Sequence, residues 1–117
     1  MRLATWNVNS LKVRLPQVID WLQAQQPDVL CLQETKLEDV NFPGRDIRAA
    51  GYHAIFSGQK TYNGVAILSK APAADAVTAI PGYHDPQKRV LAATIDGVRV
   101  CCLYVPNWQS VDSDKYR

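Results

Sequence analysis

The fold is decided by one stretch of the chain, Gln26-Pro27-Asp28-Val29-Leu30-Cys31-Leu32-Gln33-Glu34-Thr35-Lys36. Its centre, residues 29–32, is an apolar run that is too short for a helix and is typical of a strand buried on both faces. Pro27 predicts the end of the preceding element, and the polar residues after Glu34 predict a loop. A strand of this type predicts a sheet that is covered on both sides.

Upstream of this strand, the sequence predicts a shorter strand and a helix. Residues 3–8 predict a strand that runs into the polar residues Asn9 and Ser10. Apolar residues then recur at the spacing of one helical face, namely Leu15, Val18, Ile19 and Leu22. Pro16 is expected in the first turn of this helix, where its missing N–H costs nothing, and Pro27 is expected to end it. The short helical connection predicts that the two strands are parallel.

Downstream of the central strand, the sequence predicts mostly further strands. A brief helical stretch is expected to end at Gly51, a favoured residue after a helix C-terminus, and a turn is expected over residues 58–64. The strongest local signal is Asp96-Gly97, the dipeptide of a tight β-hairpin. The predicted strands cover residues 52–56, 65–68, part of 71–86, 90–95 and 98–105.

Together these elements predict an α/β (α+β) fold, a mixed sheet with about two helices on one face. Several strands have the composition of strands buried on two faces, yet only these helices are available to cover them. The second face of the sheet is therefore expected to pack on something missing from the chain, or the chain is expected to oligomerise. Residues 1–117 are predicted to form a single partial domain.

Composition narrows the function classes without choosing one. Thirteen Lys and Arg against eleven Asp and Glu give a net charge of +2, a balance too mild to indicate nucleic acid by itself. No apolar stretch approaches the roughly 20 residues needed to cross a membrane, and the first residues predict no signal peptide. Cys31, Cys101 and Cys102 lie in apolar runs and predict buried, reduced thiols. We expect a cytoplasmic protein with no membrane partner.

Two polar residues end the predicted parallel strands. Glu34 follows the buried strand, and Asn7 ends the first strand. Because parallel strands present their carboxyl ends at one edge, where open α/β sheets bind ligands, we expect Asn7 and Glu34 to share that edge. A carboxylate there suits Mg²⁺, held together with phosphate oxygens and water. The alternatives are a helix cap or a salt bridge to Lys36 for Glu34, and a turn role for Asn7.

Further candidate residues lie near the ends of later strands. Tyr104 and Asn107 close the last predicted strand, where a phenol and an amide could donate hydrogen bonds to a phosphate. Tyr62 lies in the turn over residues 58–64, where its ring could contact a nucleic-acid backbone. Core packing is the alternative for Tyr104, and turn chemistry is the alternative for Tyr62. Together the candidates describe a metal–phosphate site at one edge of a sheet.

The blocks of sequence that hold these candidates resemble a known family. Residues 5–11 (Thr-Trp-Asn-Val-Asn-Ser-Leu) and 26–36 are similar to the first two blocks of the exonuclease III-type AP endonucleases, in the endonuclease/exonuclease/phosphatase superfamily. Residues 56–60, 62–69 and 103–107 continue the match in the same order. The resemblance covers essentially the whole chain.

This resemblance implies the N-terminal half of a four-layer αββα sandwich and a hydrolase that uses Mg²⁺, with Mn²⁺ as the other candidate ion. It implies that Glu34 binds the metal, that Asn7 is its neighbour as a metal-binding and catalytic residue, and that Tyr104 contacts the scissile phosphate. The implied DNA-binding residues are Asn107, Lys36, Tyr62 and Arg89. The implied substrate is double-stranded DNA, incised 5′ to an abasic site or degraded from a 3′ end.

The resemblance also implies limits on this chain. Family members continue beyond Arg117 with an Asp-x-Asn block, a further Asp and an Asp-His pair, which activate the attacking water and complete the metal site. We therefore expect residues 1–117 alone to be inactive and to self-associate, while full-length family members are expected to be monomeric. Two alternatives stay open: a non-catalytic DNA-binding or complementing half-domain, and a superfamily phosphodiesterase that acts on lipid, inositol phosphate or RNA.

Overall fold

The computed structural model describes residues 1–58, 63–78 and 90–104, together with the backbone of a short strand pair near residue 117. The elements, in chain order, are β1 (Leu3–Asn7), α1 (Leu11–Gln25), β2 (Val29–Gln33), a 3₁₀ turn (Asp39–Asn41), α2 (Gly44–Ala49), β3 (His53–Ser57), β4 (Val65–Ser69), β5 (Ala73–Val77), β6 (Val90–Ile95), β7 (Val98–Leu103), β8 (Asp112–Ser113) and β9 (Lys115–Tyr116). None of the helices in these ranges is long and apolar enough to span a membrane.

Two sheets form the core of the described residues, and β8 and β9 pair with each other in a separate two-stranded sheet. The first sheet has the order β1-β2-β4-β3, and β4 runs antiparallel to both of its neighbours. β1 and β2 are parallel, with Leu3 opposite Val29 and Asn7 opposite Gln33. The second sheet is antiparallel, in the order β5-β6-β7. The predicted parallel pairing of the first two strands is therefore confirmed, and the helical crossover through α1 makes it possible.

The central strands β2 and β4 are buried on both faces, as the sequence predicted. One face of the first sheet packs against α1 and α2 in a core that contains Val8, Leu11, Val18, Leu22, Leu30, Leu32, Ile47, Tyr52, Ala66 and Leu68. The other face packs against the second sheet through Val29, Cys31, Val65, Ile67, Leu91, Ile95, Val100 and Cys102. The expectation that something missing or a second copy covers this face was wrong, because the later strands of the same chain form a sheet of their own that covers it. The predicted fold class, a mixed α/β arrangement with helices on one face, is confirmed.

The helix α1 begins earlier than the sequence predicted. It starts at Leu11, so Pro16 lies within the helix rather than in its first turn. The prediction was wrong because tertiary contacts extend the helix: the Leu11 side chain is fully buried, and its N–H donates to the Thr35 carbonyl oxygen at 3.0 Å. The helix ends as predicted, with Gln26 in the left-handed conformation directly before Pro27.

The hairpin between β6 and β7 has the tight turn that its dipeptide predicts. Asp96 and Gly97 have φ angles of 50° and 76°, and Ile95 pairs with Val98 across the turn. Positive φ at both central residues matches the twist of the flanking strands, and Asp-Gly tolerates that conformation. The hairpin therefore fixes the start of β7, and Tyr104 follows directly after the last residue of this strand.

The cysteines occupy two different environments. Cys31 on β2 and Cys102 on β7 are buried between the sheets, whereas Cys101 is exposed. The prediction of three buried thiols was wrong for Cys101, because successive strand residues point to opposite faces and the outer face of the second sheet is exposed at β7. A hydrogen bond with Cys102, together with burial, raises the pKa of the Cys31 thiol, which therefore stays protonated at neutral pH.

The starts of β1 and β2 are joined by polar contacts. The backbone N–H of Arg2 donates to Asp28 Oδ2 at 2.6 Å, and the Asp28 N–H donates to the Arg2 carbonyl at 3.0 Å. The first of these hydrogen bonds lowers the pKa of the Asp28 carboxyl. The buried Tyr52 phenol donates to the Pro27 carbonyl at 2.6 Å. The contacts between Arg2 and Asp28 fix the register of β1 against β2 at the end opposite to Asn7 and Glu34.

Replacing Ile67 with alanine tests the core between the two sheets. Ile67 is fully buried, so Ile67→Ala should lower the free energy of unfolding by about 2–5 kcal/mol. Val40 is 85% exposed, and Val40→Ala should change it by less than about 0.5 kcal/mol. Urea unfolding followed by circular dichroism measures both variants. Equal effects would contradict the packing of the two sheets described above.

Candidate active site

Asn7 and Glu34 lie at the same edge of the first sheet. Asn7 is the last residue of β1 and pairs in register with Gln33, the residue before Glu34. The expected sharing of one edge by these two residues follows from the parallel pairing of β1 with β2. Their chemical roles stay predictions.

The loop after β1 is joined to the chain after β2 by backbone hydrogen bonds. The Val8 N–H donates to the Gln33 carbonyl at 3.0 Å, and the Ser10 N–H donates to the Glu34 carbonyl at 2.8 Å. The Leu11 N–H continues this pattern to Thr35. The main chain around Glu34 is therefore fixed on the β1 side well past the last strand residue.

The loop before β4 fixes the other side of the same segment. The Thr35 N–H donates to the Gly64 carbonyl at 3.2 Å, and the Lys36 N–H donates to the Asn63 carbonyl at 2.9 Å. The Thr35 side chain is only 1% exposed. Glu34 therefore lies on a short segment that is held between two loops, which is the rigid placement that a metal ligand requires.

The backbone at this edge is concentrated in the left-handed region. Residues with positive φ in the two loops and the intervening segment are Asn9, Ser10, Glu34, Lys36, Asn63 and Gly64. Such conformations cost about 1–3 kcal/mol each for most residues other than glycine, and they persist only where the surroundings impose them. The hydrogen bonds on both sides of Glu34 supply that constraint.

The Glu34 carboxylate contacts Tyr104 across the two sheets. The Tyr104 phenol donates to Glu34 Oε2 at 2.9 Å, although the two residues are 70 positions apart in the chain. Both side chains are half-buried, so the contact is partly shielded from water. The sequence singled out both residues, but nothing in it predicted that they touch.

Asn7 and Lys36 both hydrogen-bond to Asn9. Asn7 Oδ1 accepts the backbone N–H of Asn9 at 3.1 Å, which is the turn geometry of an Asn side chain. Lys36 Nζ donates to Asn9 Oδ1 at 2.5 Å. The turn role left open for Asn7 is therefore present. The ammonium group of Lys36 stands at the same edge as Glu34, and its contact with DNA stays a prediction.

Gln33 is a contributor that the sequence did not single out. Its Nε2 donates to Thr5 Oγ1 at 2.8 Å and contacts Cys102 Sγ at 3.6 Å. The side chain therefore joins β1, β2 and β7 directly beneath Glu34 and Tyr104. The one available signal was a polar residue at the end of a strand that is otherwise apolar.

Three of the predicted DNA-binding residues, Tyr62, Arg89 and Asn107, lie outside the described residues. Of the predicted site, the structure therefore describes Asn7, Glu34, Lys36 and Tyr104. Within the described ranges, no group of three or more His, Cys, Asp and Glu side chains could hold a metal ion. The oxygen donors at this edge are the Glu34 carboxylate and the Asn7 amide, which suit a hard cation that keeps several waters.

A cavity of about 330 Å³ opens beside the site, between β1, β2 and β7. Its lining includes Leu3 and Thr5 from β1, Gln33 from β2, and Cys102 and Leu103 from β7. Leu3 is 59% exposed and Leu103 is 51% exposed. The described residues therefore leave apolar surface uncovered where β1 extends past the second sheet.

The chain is similar in sequence to a known protein family. The sequence profile described as the endonuclease/exonuclease/phosphatase family matches residues 4–116. The chain is 32% identical over 112 residues to an exodeoxyribonuclease from Bacillus subtilis (strain 168), an alignment that covers 92% of this chain and 43% of the relative. The chain therefore spans less than half the length of that curated relative.

Solved structures give the same result. A 3′-5′ exonuclease from Neisseria meningitidis is 50% identical with a TM-score of 0.89, and the match covers 93% of this chain and 43% of that one. An AP endonuclease from Archaeoglobus fulgidus is 43% identical with a TM-score of 0.87, covering 91% of this chain and 41% of that one. The expected resemblance to exonuclease III-type AP endonucleases is confirmed, and the chain belongs to the endonuclease/exonuclease/phosphatase family.

Proposed function

We propose that this chain forms part of a DNA-repair phosphodiesterase that uses Mg²⁺, or Mn²⁺ in its place, to hydrolyse double-stranded DNA at abasic sites or from 3′ ends. The observation that carries the proposal is the 2.9 Å hydrogen bond from Tyr104 to Glu34. This bond joins the carboxylate of Glu34, at the edge of the first sheet, to the phenol of Tyr104, which follows a strand of the second sheet. The relatives named as exodeoxyribonuclease, exonuclease and AP endonuclease support the choice of DNA.

Glu34 is the proposed metal ligand, and Asn7 offers a second oxygen at the same edge. A bound Mg²⁺ would stabilise the negative charge that develops on the phosphate during hydrolysis. Glu34 suits this role because its backbone is held from both sides, through the Ser10 N–H to its own carbonyl and the Thr35 N–H to Gly64. A ligand held in this way loses little conformational freedom on binding.

Tyr104 has two proposed tasks. Its hydroxyl orients the Glu34 carboxylate through the hydrogen bond described above, and the same hydroxyl is the proposed contact for a scissile phosphate bound near Glu34. A phenol both donates and accepts hydrogen bonds, so it can hold a carboxylate oxygen and a phosphate oxygen in turn. Lys36, Tyr62, Arg89 and Asn107 are the proposed DNA-contacting residues.

We further propose that residues 1–117 require additional groups for catalysis. Hydrolysis needs an activated water molecule as well as charge stabilisation. The chain corresponds to 43% of the length of its Bacillus subtilis relative, and the resemblance assigns the water-activating residues to the remainder. The cavity between β1 and β7, with the exposed Leu3 and Leu103 at its rim, is the proposed contact surface for a complementing segment.

Incision of a duplex with one abasic site tests the proposed activity. Residues 1–117 alone should give no incision. Addition of the C-terminal remainder of the Archaeoglobus fulgidus AP endonuclease should produce incision that requires Mg²⁺ and is abolished by EDTA. Glu34→Ala should abolish the complemented activity because it removes the proposed ligand, whereas Glu38→Ala, an exposed glutamate nearby, should retain it.

Two results would contradict this proposal. Incision by residues 1–117 alone would refute the need for a complementing segment. Cleavage of phosphoinositide, sphingomyelin or RNA by the complemented protein, without cleavage at the abasic site, would refute the choice of DNA.

A double-mutant cycle tests the contact between Tyr104 and Glu34. Tyr104→Phe and Glu34→Ala should each destabilise the protein, and the double variant should lose less than the sum by about 1 kcal/mol, because each change removes the same hydrogen bond. Urea unfolding measures the three variants. The matched pair is Tyr52→Phe with Glu34→Ala, which should be additive because the Tyr52 phenol donates to the Pro27 carbonyl instead. Additive effects in both pairs would mean that Tyr104 does not hold Glu34.

A further inference from the structure

Gly64 packs directly against the segment that carries Glu34. Its carbonyl accepts the Thr35 N–H at 3.2 Å, and its own backbone has a φ of 92°. A methyl group added at position 64 would overlap Thr35 Oγ1 and would lie 3.3 Å from the Lys36 amide nitrogen. Position 64 therefore has no room for a side chain as long as Thr35 and Lys36 stay where they are.

The segment that Gly64 contacts has little freedom to move aside. Thr35 is buried, and the Leu11 N–H holds its carbonyl at 3.0 Å from the opposite side. Displacement of Thr35 would therefore rotate the adjoining peptide units, including the one that joins Thr35 to the residue directly before it, Glu34. Its φ of 55° lies in a narrow allowed region, so a small backbone shift would redirect its carboxylate away from Tyr104.

We propose that Gly64 is a positioning residue for Glu34: its contact with Thr35 sets the turn that points the carboxylate at Tyr104 and at the metal. The inference rests on the proposed role of Glu34 as a metal ligand, but it concerns a residue that touches neither metal nor substrate. Gly64 acts through Thr35, and the quantity that it controls is the direction of the Glu34 side chain.

The chain contains a matched control for this proposal. Gly51 has a φ of 94°, nearly the same as that of Gly64, but a methyl group added there would meet nothing within 4 Å. Gly51→Ala therefore imposes the same backbone strain without the overlap. The difference between Gly64→Ala and Gly51→Ala isolates the contact with Thr35.

Binding of Mn²⁺ to the 117-residue chain, measured by electron paramagnetic resonance, is the test. Gly64→Ala should weaken Mn²⁺ binding by about 10- to 100-fold, the range found when residues that orient metal ligands are altered. Gly51→Ala should leave it unchanged. Adding Thr35→Ala to Gly64→Ala should restore most of the binding because it removes the overlapping oxygen. Adding Thr35→Ser, which keeps that oxygen, should not.

Several outcomes would overturn the inference. It is wrong if Gly64→Ala binds Mn²⁺ as well as Gly51→Ala does, or if Thr35→Ala and Thr35→Ser restore binding equally. If Gly64→Ala does not fold, the Gly64→Ala/Thr35→Ala variant decides: folding with Mn²⁺ binding supports the inference, and folding without binding overturns it.

Failure of the proposed metal-binding role of Glu34 gives results that differ from failure of the inference about Gly64. If Glu34→Gln binds Mn²⁺ like the unaltered chain, Glu34 is not the ligand, whatever Gly64 does. If the unaltered chain binds no Mn²⁺, the ¹³C shift of the Tyr104 Cζ atom reports the hydrogen bond to Glu34 directly. A shift in Gly64→Ala equal to that in Glu34→Ala, which removes the acceptor, then supports the inference, and an unchanged shift overturns it.

Discussion

The burial of β2 on both faces is the constraint on which the described structure depends. Leu30 and Leu32 pack against the helices, while Val29 and Cys31 pack against the second sheet. Because both faces are apolar, a slip of the strand by one residue would exchange one apolar set for the other, so burial alone specifies the register weakly. The polar contacts of Asp28 at one end and Gln33 at the other specify it instead.

That register determines which polar residues lie together at the edge of the sheet. With Asn7 opposite Gln33, the chain leaves β2 at Glu34 and enters a segment held by hydrogen bonds from both neighbouring loops. Left-handed residues concentrate there because three chain segments turn within a small space. The stability of the rest of the fold maintains these conformations, which is a common relation between a rigid scaffold and a functional site.

The layers explain which surfaces are covered. α1 and α2 cover one face of the first sheet, and the second sheet covers the other. The exposed Leu3 and Leu103 lie on β1 and β7 and line the same cavity. Exposed apolar side chains that share one surface are typical of a contact surface.

The sequence by itself determined the local structure: the buried strand β2, the Asp96-Gly97 hairpin and the helix end at Pro27. Through the family resemblance it also singled out Glu34 and Tyr104 as candidate site residues. The local features depend on neighbouring residues and on turn chemistry, which a sequence displays directly. Only the tertiary structure decided the start of α1, the exposure of Cys101, the role of Gln33 and the contact between Glu34 and Tyr104, 70 positions apart. The physical reason is that these features follow from how the two sheets and their loops pack together, and packing between distant segments leaves no periodic pattern in a single sequence.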